Sequence, residues 1–371
     1  MSTPQAMGAG LGNAASISAA HGPVADGRQP AATALQGKLD SALDAAEAQH
    51  HCAIASGDAL ARAFMRRTQQ QYCLSPAPGL YVRPSYWREL NPREQAFHLM
   101  HGLGRLHPTW TFRSWAAALS WGIEVPYPLL EELPIISKRQ PSPPDPVISR
   151  SPYPSDRVET NDGIRVLSLP HAVGEVLRQA PFSYALAVMD SALHAQNSNE
   201  VPSFLAEVEH ACQRRDGAAR ARFILRFADA RAESGGESRV RAFLIANGYD
   251  LPDLQVTFTD PCDQNHVLRV DFFWRLPDGR NLIGEFDGMA KNHDPDLTNG
   301  EDAVAVLVRE RQRESRLTLL GYPVLRFTYD DLSHPARLHH LLRTAGIPQD
   351  SSRALQWHKT WAQFDKKTQT H

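Results

Sequence analysis

Four acidic side chains stand where a β-rich segment can gather them. Asp271 lies in the apolar run Val270-Asp271-Phe272-Phe273-Trp274, Glu285 in Leu282-Ile283-Gly284-Glu285-Phe286, and Asp287 two residues further on. A carboxylate among Val, Phe and Trp is costly to bury unless something pairs with it. The turn Leu276-Pro277-Asp278-Gly279 joins the two strands as a hairpin, because Gly accepts the positive φ such turns need. Asp271 and Glu285 can then be neighbours across the ladder, with Asp287 on the side of Glu285. Glu237, early in the preceding helical segment, can reach the same edge. Such a cluster repels itself unless a cation neutralises it. Mg²⁺ or Mn²⁺ suits these donors, keeping several waters or phosphate oxygens, and can polarise a phosphate and generate hydroxide near neutral pH. That is the minimum equipment for phosphodiester hydrolysis. The plain alternative is a set of surface acids on an amphipathic hairpin.

The elements that must position these residues can be read in order. Residues 237–245 have helical spacing (Val240, Phe243, Leu244) and stop at Asn247-Gly248. Strands follow at 254–258, 267–274 and 282–286. A helix is expected from Asp302 to Leu320, a fourth strand at 323–328 and a last helix from Asp330. The order α-β-β-β-α-β-α makes a mixed sheet flanked by helices.

On these residues a resemblance rests. Glu237-Ser238-Arg239, Arg269-Val270-Asp271-Phe272, Ile283-Gly284-Glu285-Phe286-Asp287-Gly288, Arg309-Glu310 and Val324-Leu325-Arg326-Phe327-Thr328 resemble the PD-(D/E)XK nuclease superfamily, in its very-short-patch-repair-like branch. The resemblance spans about residues 231–345. It implies a restriction-endonuclease-like αβββαβ core, Asp271 and Glu285 as metal ligands, and Glu237 as the helix-borne acid near the metal. It also implies Mg²⁺-dependent cleavage of nucleic acid, double-stranded DNA first. One departure stands out: the superfamily's usual Lys two residues after the second acid is Asp287 here. Lys291 and His293, just downstream, are candidates for the missing donor or base, against a loop-surface reading.

A second, weaker resemblance covers residues 70–125. Gly79-Leu80-Tyr81-Val82 before Trp87, and Trp115-Ala116-Ala117-Ala118-Leu119-Ser120-Trp121-Gly122, are similar to the winged-helix head of abortive-infection antitoxins. This implies DNA binding by the head and a toxin as possible partner. The competing expectation is therefore a non-catalytic transcriptional regulator of antitoxin type with a degenerate nuclease domain, and Asp287 is the feature favouring it.

The domain layout expected is α+β and multidomain. It comprises a disordered Ala/Gly/Ser/Pro tail at 1–35, a winged-helix-like head at 36–136, an irregular β segment with a helical middle at 137–230, the nuclease-like domain at 231–346 and a C-terminal tail at 347–371. Arg239, Arg309, Arg313 and Arg326 are candidate nucleic-acid contacts. For the helix holding Arg309 and Arg313, a solvated face with i,i+3 and i,i+4 ion pairs is the default reading. Trp110, Trp115 and Trp121 read as core rather than as stacking platforms.

Composition bounds the rest. Among 371 residues, 39 Lys plus Arg against 41 Asp plus Glu exclude a uniformly basic coat. The average conceals a segregation: residues 214–241 hold eight Arg, while acids dominate from Glu285 to Asp302. Four scattered cysteines without a CxxC pair fit reduced cytosolic thiols, no apolar run suits a membrane span, and a cytoplasmic protein is expected.

Overall fold

The computed structural model describes residues 29–138, 147–153, 157–288 and 303–368, with side chains described at 33–138, 147–153, 157–288, 308, 311–359 and 361. Among them the chain is an α+β protein with mixed sheets. The N-terminal elements are α1 (Gln29–Ala48), β1 (Ala53–Ile54), α2 (Asp58–Gln69), β2 (Leu80–Tyr81), α3 (Pro84–Glu89) and α4 (Pro92–Leu106). Next come β3 (Thr111–Phe112), α5 (Ser114–Ser120), a 3-10 turn (Tyr127–Leu129), β4 (Leu133–Ile136), β5 (Ile148–Ser151), β6 (Val158–Asn161) and β7 (Ile164–Leu167). The helices α6 (Leu169–Gln179), α7 (Phe182–His194), α8 (Val201–Cys212) and α9 (Ala218–Leu225) follow.

Three expected boundaries move. Helix α1 begins at Gln29, so a tail reaching residue 35 is too long. Ala31, Ala32 and Ala34 are strong helix formers, and Leu35, Leu39 and Leu43 pack with Phe64 in a small separate core. The division at 136/137 fails more thoroughly. The five-stranded sheet β5-β4-β3-β7-β6 crosses it, β4 pairing in parallel with β5 from Leu133↔Ile148 to Ile136↔Ser151. One core then runs through Met100 and Leu103 of α4, Ala116 to Ala118 of α5, Val173 and Val176 of α6, and Leu186 of α7. Strands of two to four residues carry too little periodicity to be grouped from sequence. In the same head, β1 pairs with β2 and Leu74 bridges Val82, with α2 the helix between β1 and that turn.

The third correction is at the C-terminus. Within the tail expected at 347–371, α14 (Ser351–Thr368) docks on the helical middle. Trp357 is buried, its ring 4.2 Å from Phe182 and 4.7 Å from Phe223, and Trp361 stacks beside it at 5.2 Å.

The last third keeps the expected order, except that the single helix expected from Asp330 is two helices divided at His334-Pro335. After α10 (Gly235–Ala246) come β8 (Asp253–Asp260), β9 (Asp263–Arg275), β10 (Asn281–Asp287), α11 (Ala303–Leu319), β11 (Val324–Thr328), α12 (Tyr329–Ser333) and α13 (Pro335–Ala345). Their sheet has the order β11-β10-β9-β8, with β10 and β11 parallel and the rest antiparallel. Val240 and Leu244 of α10 and Leu338 and Leu342 of α13 cover one face, against Phe272, Trp274 and Phe327. Leu317 of α11 covers the other, against Leu268, Val270, Phe273 and Ile283. Helix α10 is tied to the middle by a buried ion pair, Arg241 Nη1 to Asp190 Oδ2 at 2.5 Å. Burial pushes the Asp190 carboxyl up to about 6, against the pull of Arg241. Among the described residues no helix is long and apolar enough to cross a membrane.

Candidate functional site

Strand β9 changes phase at Asp271. In an unbroken strand, residues two apart share a face. Here Leu268 and Val270 share a cluster with Phe273, while Phe272 and Trp274 lie on the opposite face. The neighbouring strand turns at the same level: Leu254 lies on one face and Val256 on the other. Between them Gln255 takes φ +55°, a left-handed backbone that is uncommon for a residue with a side chain. The ladder pairs Leu254 with Phe272 and Val256 with Val270, stepping over Gln255 and Asp271. On the other side, the β9–β10 pairing ends at Phe272↔Gly284, one step before Asp271 would meet Glu285. Asp271 therefore sits in a break shared by both ladders. Its side chain takes over a ladder bond: Phe286 N–H donates to Asp271 Oδ2 at 2.8 Å. Irregularities of this kind re-aim one side chain out of a sheet.

Glu285 is 6% exposed and held by a fork from α11. Arg313 donates through Nη1 to Oε2 at 3.0 Å and through Nη2 to Oε1 at 3.1 Å, and Nη2 also reaches the Arg269 carbonyl at 2.7 Å. Leu317, one turn on, is buried against the sheet, so Arg313 faces inward rather than forming part of a solvated face. Arg316 of the same helix likewise bonds the buried Asp260 at 2.8 Å. Arg326 is in register with Glu285 on β11, with Nε 3.6 Å from Glu314 Oε1. Asp287 is in register with Thr328, half-buried, on the Glu285 side of β10.

Glu237 enters from α10, whose N-terminus Ser234 caps by accepting from the Glu237 amide. The carboxylate is 5% exposed. It accepts from Ser234 Oγ at 2.8 Å, Glu233 N at 3.1 Å and Gln255 Nε2 at 3.0 Å. Burial, and next the negative charge of Asp271, push its pKa up to about 7. Glu237 and Asp271 thus feel each other, as expected for two acids brought close together. The helix approaches this close because residue 236 is Gly: a Cβ there would lie 2.0 Å from the Phe286 ring.

Of the expected site residues, the structure brings Glu237, Asp271, Glu285, Asp287, Arg313 and Arg326 to one end of the C-terminal sheet. Arg239 lies on α10 between two tyrosine rings, Tyr184 and Tyr329. Arg309 belongs to α11, but its side chain lies outside the described residues, as do Lys291 and His293 altogether. Among the described residues no three His, Cys, Asp or Glu side chains form a ready metal cluster. Sequence reasoning missed Gln255 and the inward fork of Arg313. Gln255 reads as an ordinary polar residue in an alternating strand, and only the reversed alternation of its neighbours betrays it.

The donor chemistry fits a divalent cation in part. Asp271, Glu285 and Glu237 offer hard oxygens, and the mutual repulsion of Glu237 and Asp271 is what a cation relieves. Arg313, however, already neutralises Glu285 through both oxygens. A metal there shares Glu285 with the guanidinium or displaces it.

Comparison with known proteins adds little chemistry. No protein-family profile and no solved structure matches the chain. Two proteins described as uncharacterized, from two strains of Mycobacterium tuberculosis, are each 34% identical over 167 residues, 44% of this chain. The chain spans about half the length of these curated relatives, 55% of each.

Proposed function

We propose that the chain is a metal-dependent endonuclease-like protein that hydrolyses phosphodiester bonds in nucleic acid, DNA first, through a restriction-endonuclease-like C-terminal core. The observation that supports it best is the shared ladder break at Asp271, which turns this carboxylate toward the pocket of Glu237 beside Glu285. Asp271 and Glu285 would hold Mg²⁺ or Mn²⁺, with Glu237 behind them. The ion supplies phosphate polarisation and a water acidified toward neutral pH. Glu237, buried behind Asp271 and Glu285, can accept or return a proton at its carboxylate oxygens. Arg313 places a second positive charge at the pocket, where a phosphate oxygen can share it.

The test is cleavage of plasmid DNA by the purified chain in Mg²⁺ or Mn²⁺, with EDTA as control. Activity is expected in the wild type and loss to background in Asp271→Asn and Glu285→Gln, both still folded by circular dichroism. A wild type that cuts no DNA or RNA with either ion overturns the reading.

The second reading is a non-catalytic DNA-binding regulator of antitoxin type, with a winged-helix-like head and a toxin partner. The Arg313 fork on Glu285 favours it, since the pocket carries its own cation, and so does Asp287 where the resemblance calls for Lys. DNA binding that persists in EDTA together with absent cleavage selects it.

A further inference from the structure

A strip of arginines and tyrosines runs from the carboxylate pocket across the seam between the N-terminal part and α10. It starts at Phe286, whose ring meets Tyr329 edge-on at 5.0 Å. Arg239 lies 5.5 Å from the Tyr329 ring and 5.4 Å from that of Tyr184. Arg93 lies 5.3 Å from the ring of Tyr127. The two pairs are joined through Glu124, which accepts from Arg93 and from the amide of Gly235, one helical turn before Arg239. Tyr329 is 39% exposed and Tyr127 44%.

The two arginines differ. Arg93 is anchored, donating to the Val125 carbonyl at 2.9 Å and to Glu124 Oε1 at 3.1 Å. Glu124 in turn accepts from Gly235 N at 2.8 Å, which ties the strip to the start of the helix bearing Glu237. Arg239 has no carboxylate partner among the described residues, and two tyrosine rings hold its guanidinium. An uncompensated cation between aromatic faces can take a phosphate oxygen while the rings take bases.

We propose that this Arg–Tyr strip is a binding track for a nucleic-acid strand with unpaired bases, leading to the carboxylate pocket. Stacking needs an open base face, which a paired duplex does not present along its side, whereas a single strand does. The inference rests on the phosphodiesterase reading for its choice of nucleic acid as occupant. It adds the class of substrate: single-stranded or locally opened.

Fluorescence anisotropy of the full chain in EDTA, with cleavage therefore silent, tests it. The probes are a labelled oligodeoxynucleotide and its blunt duplex. The single strand should bind more tightly than the duplex. Tyr329→Ala and Tyr127→Ala should each weaken single-strand binding about tenfold, the loss of one stacked base. Tyr329→Phe should retain it, and Arg239→Gln should weaken it and flatten its salt dependence. Duplex binding equal to or tighter than single-strand binding overturns the proposal. So does single-strand binding unchanged in both alanine variants, or no binding by the wild type. Single-strand binding without any cleavage in Mg²⁺ upholds the track and removes only the catalytic reading.

Discussion

Arg313 and Glu285 form a two-bond fork between α11 and the centre of the C-terminal sheet, with N–O distances of 3.0 and 3.1 Å. Planar guanidinium and carboxylate match each other in this arrangement, so the pair sets the position of Glu285 as well as its charge. In a metal-free pocket Arg313 does what a divalent cation would do: it allows a 6% exposed carboxylate to stay near other acids.

Arg313→Ala should therefore have two separable effects. Without metal, loss of this fork from the buried Glu285 costs about 2 kcal/mol of stability. With Mn²⁺, the variant should recover more stability than the wild type gains, because the ion no longer competes with the fork. Thermal melts of both proteins across a Mn²⁺ titration give the answer. An equal Mn²⁺ effect in the two would show that Glu285 does not take the ion.

Glu237 makes stability depend on pH in a definite direction. Its carboxyl sits at about 7 in the fold against an ordinary 4.5, so between these values the folded chain holds the extra proton. The unfolded state binds fewer protons there, and stability falls as pH rises from 4.5 through 7. At roughly 1.4 kcal/mol per unit, the change amounts to about 3 kcal/mol. Glu237→Gln should remove it, leaving a variant steadier than the wild type above neutral pH. Urea denaturation at acidic and mildly alkaline pH, in EDTA, measures the difference. Asp190 shifts in the same direction but is common to both proteins and cancels. Parallel pH curves for the two would refute the placement of Glu237.

Gly236→Ala tests how closely α10 approaches the sheet. The added methyl meets an aromatic ring at 2.0 Å, with little room to yield, and should destabilise by about 2 kcal/mol. Phe286→Leu in the same chain should return part of that loss by making space. Denaturation midpoints of the single and double variants decide it. No recovery in the double variant would mean that another contact limits the approach.

Trp357→Ala should release α14. The ring is buried against Phe182 and Phe223, and its removal should cost about 3 kcal/mol. Limited proteolysis is expected to trim the variant's C-terminus well before its core. A C-terminus as resistant as the wild type's would show that α14 is held mainly by other contacts.

Much of the C-terminal third was legible in the sequence. Strand β10 was readable because Leu282, Ile283 and Phe286 precede a turn-forming Asp287-Gly288, and α11 because Gly321 ends its run. Asp271 and Glu285 stood out as acids in apolar strands, and Glu237 by its place early in the preceding helix. The N-terminal half was less legible. Its sheet is built from strands as short as Thr111–Phe112, whose partners lie more than fifty residues away at Arg165 and Val166. Trp357 and Trp361 gave no hint of where they dock, since their partners come from α7 and α9.

What the amino-acid sequence determined alone is local: the periods of strand and helix, the turn at Gly279, the element order α-β-β-β-α-β-α, and the acids placed within it. Those depend on residues a few positions apart, whose spacing dictates which side of an element they share. The tertiary structure alone decided the rest: the phase change of β9 at Asp271, the strained Gln255 opposite it, the fork of Arg313 on Glu285 and the docking of α14. Each depends on which distant segments pack together. A side chain's charge and size restrict such pairings without selecting one, and the free energy of the packed whole makes the selection.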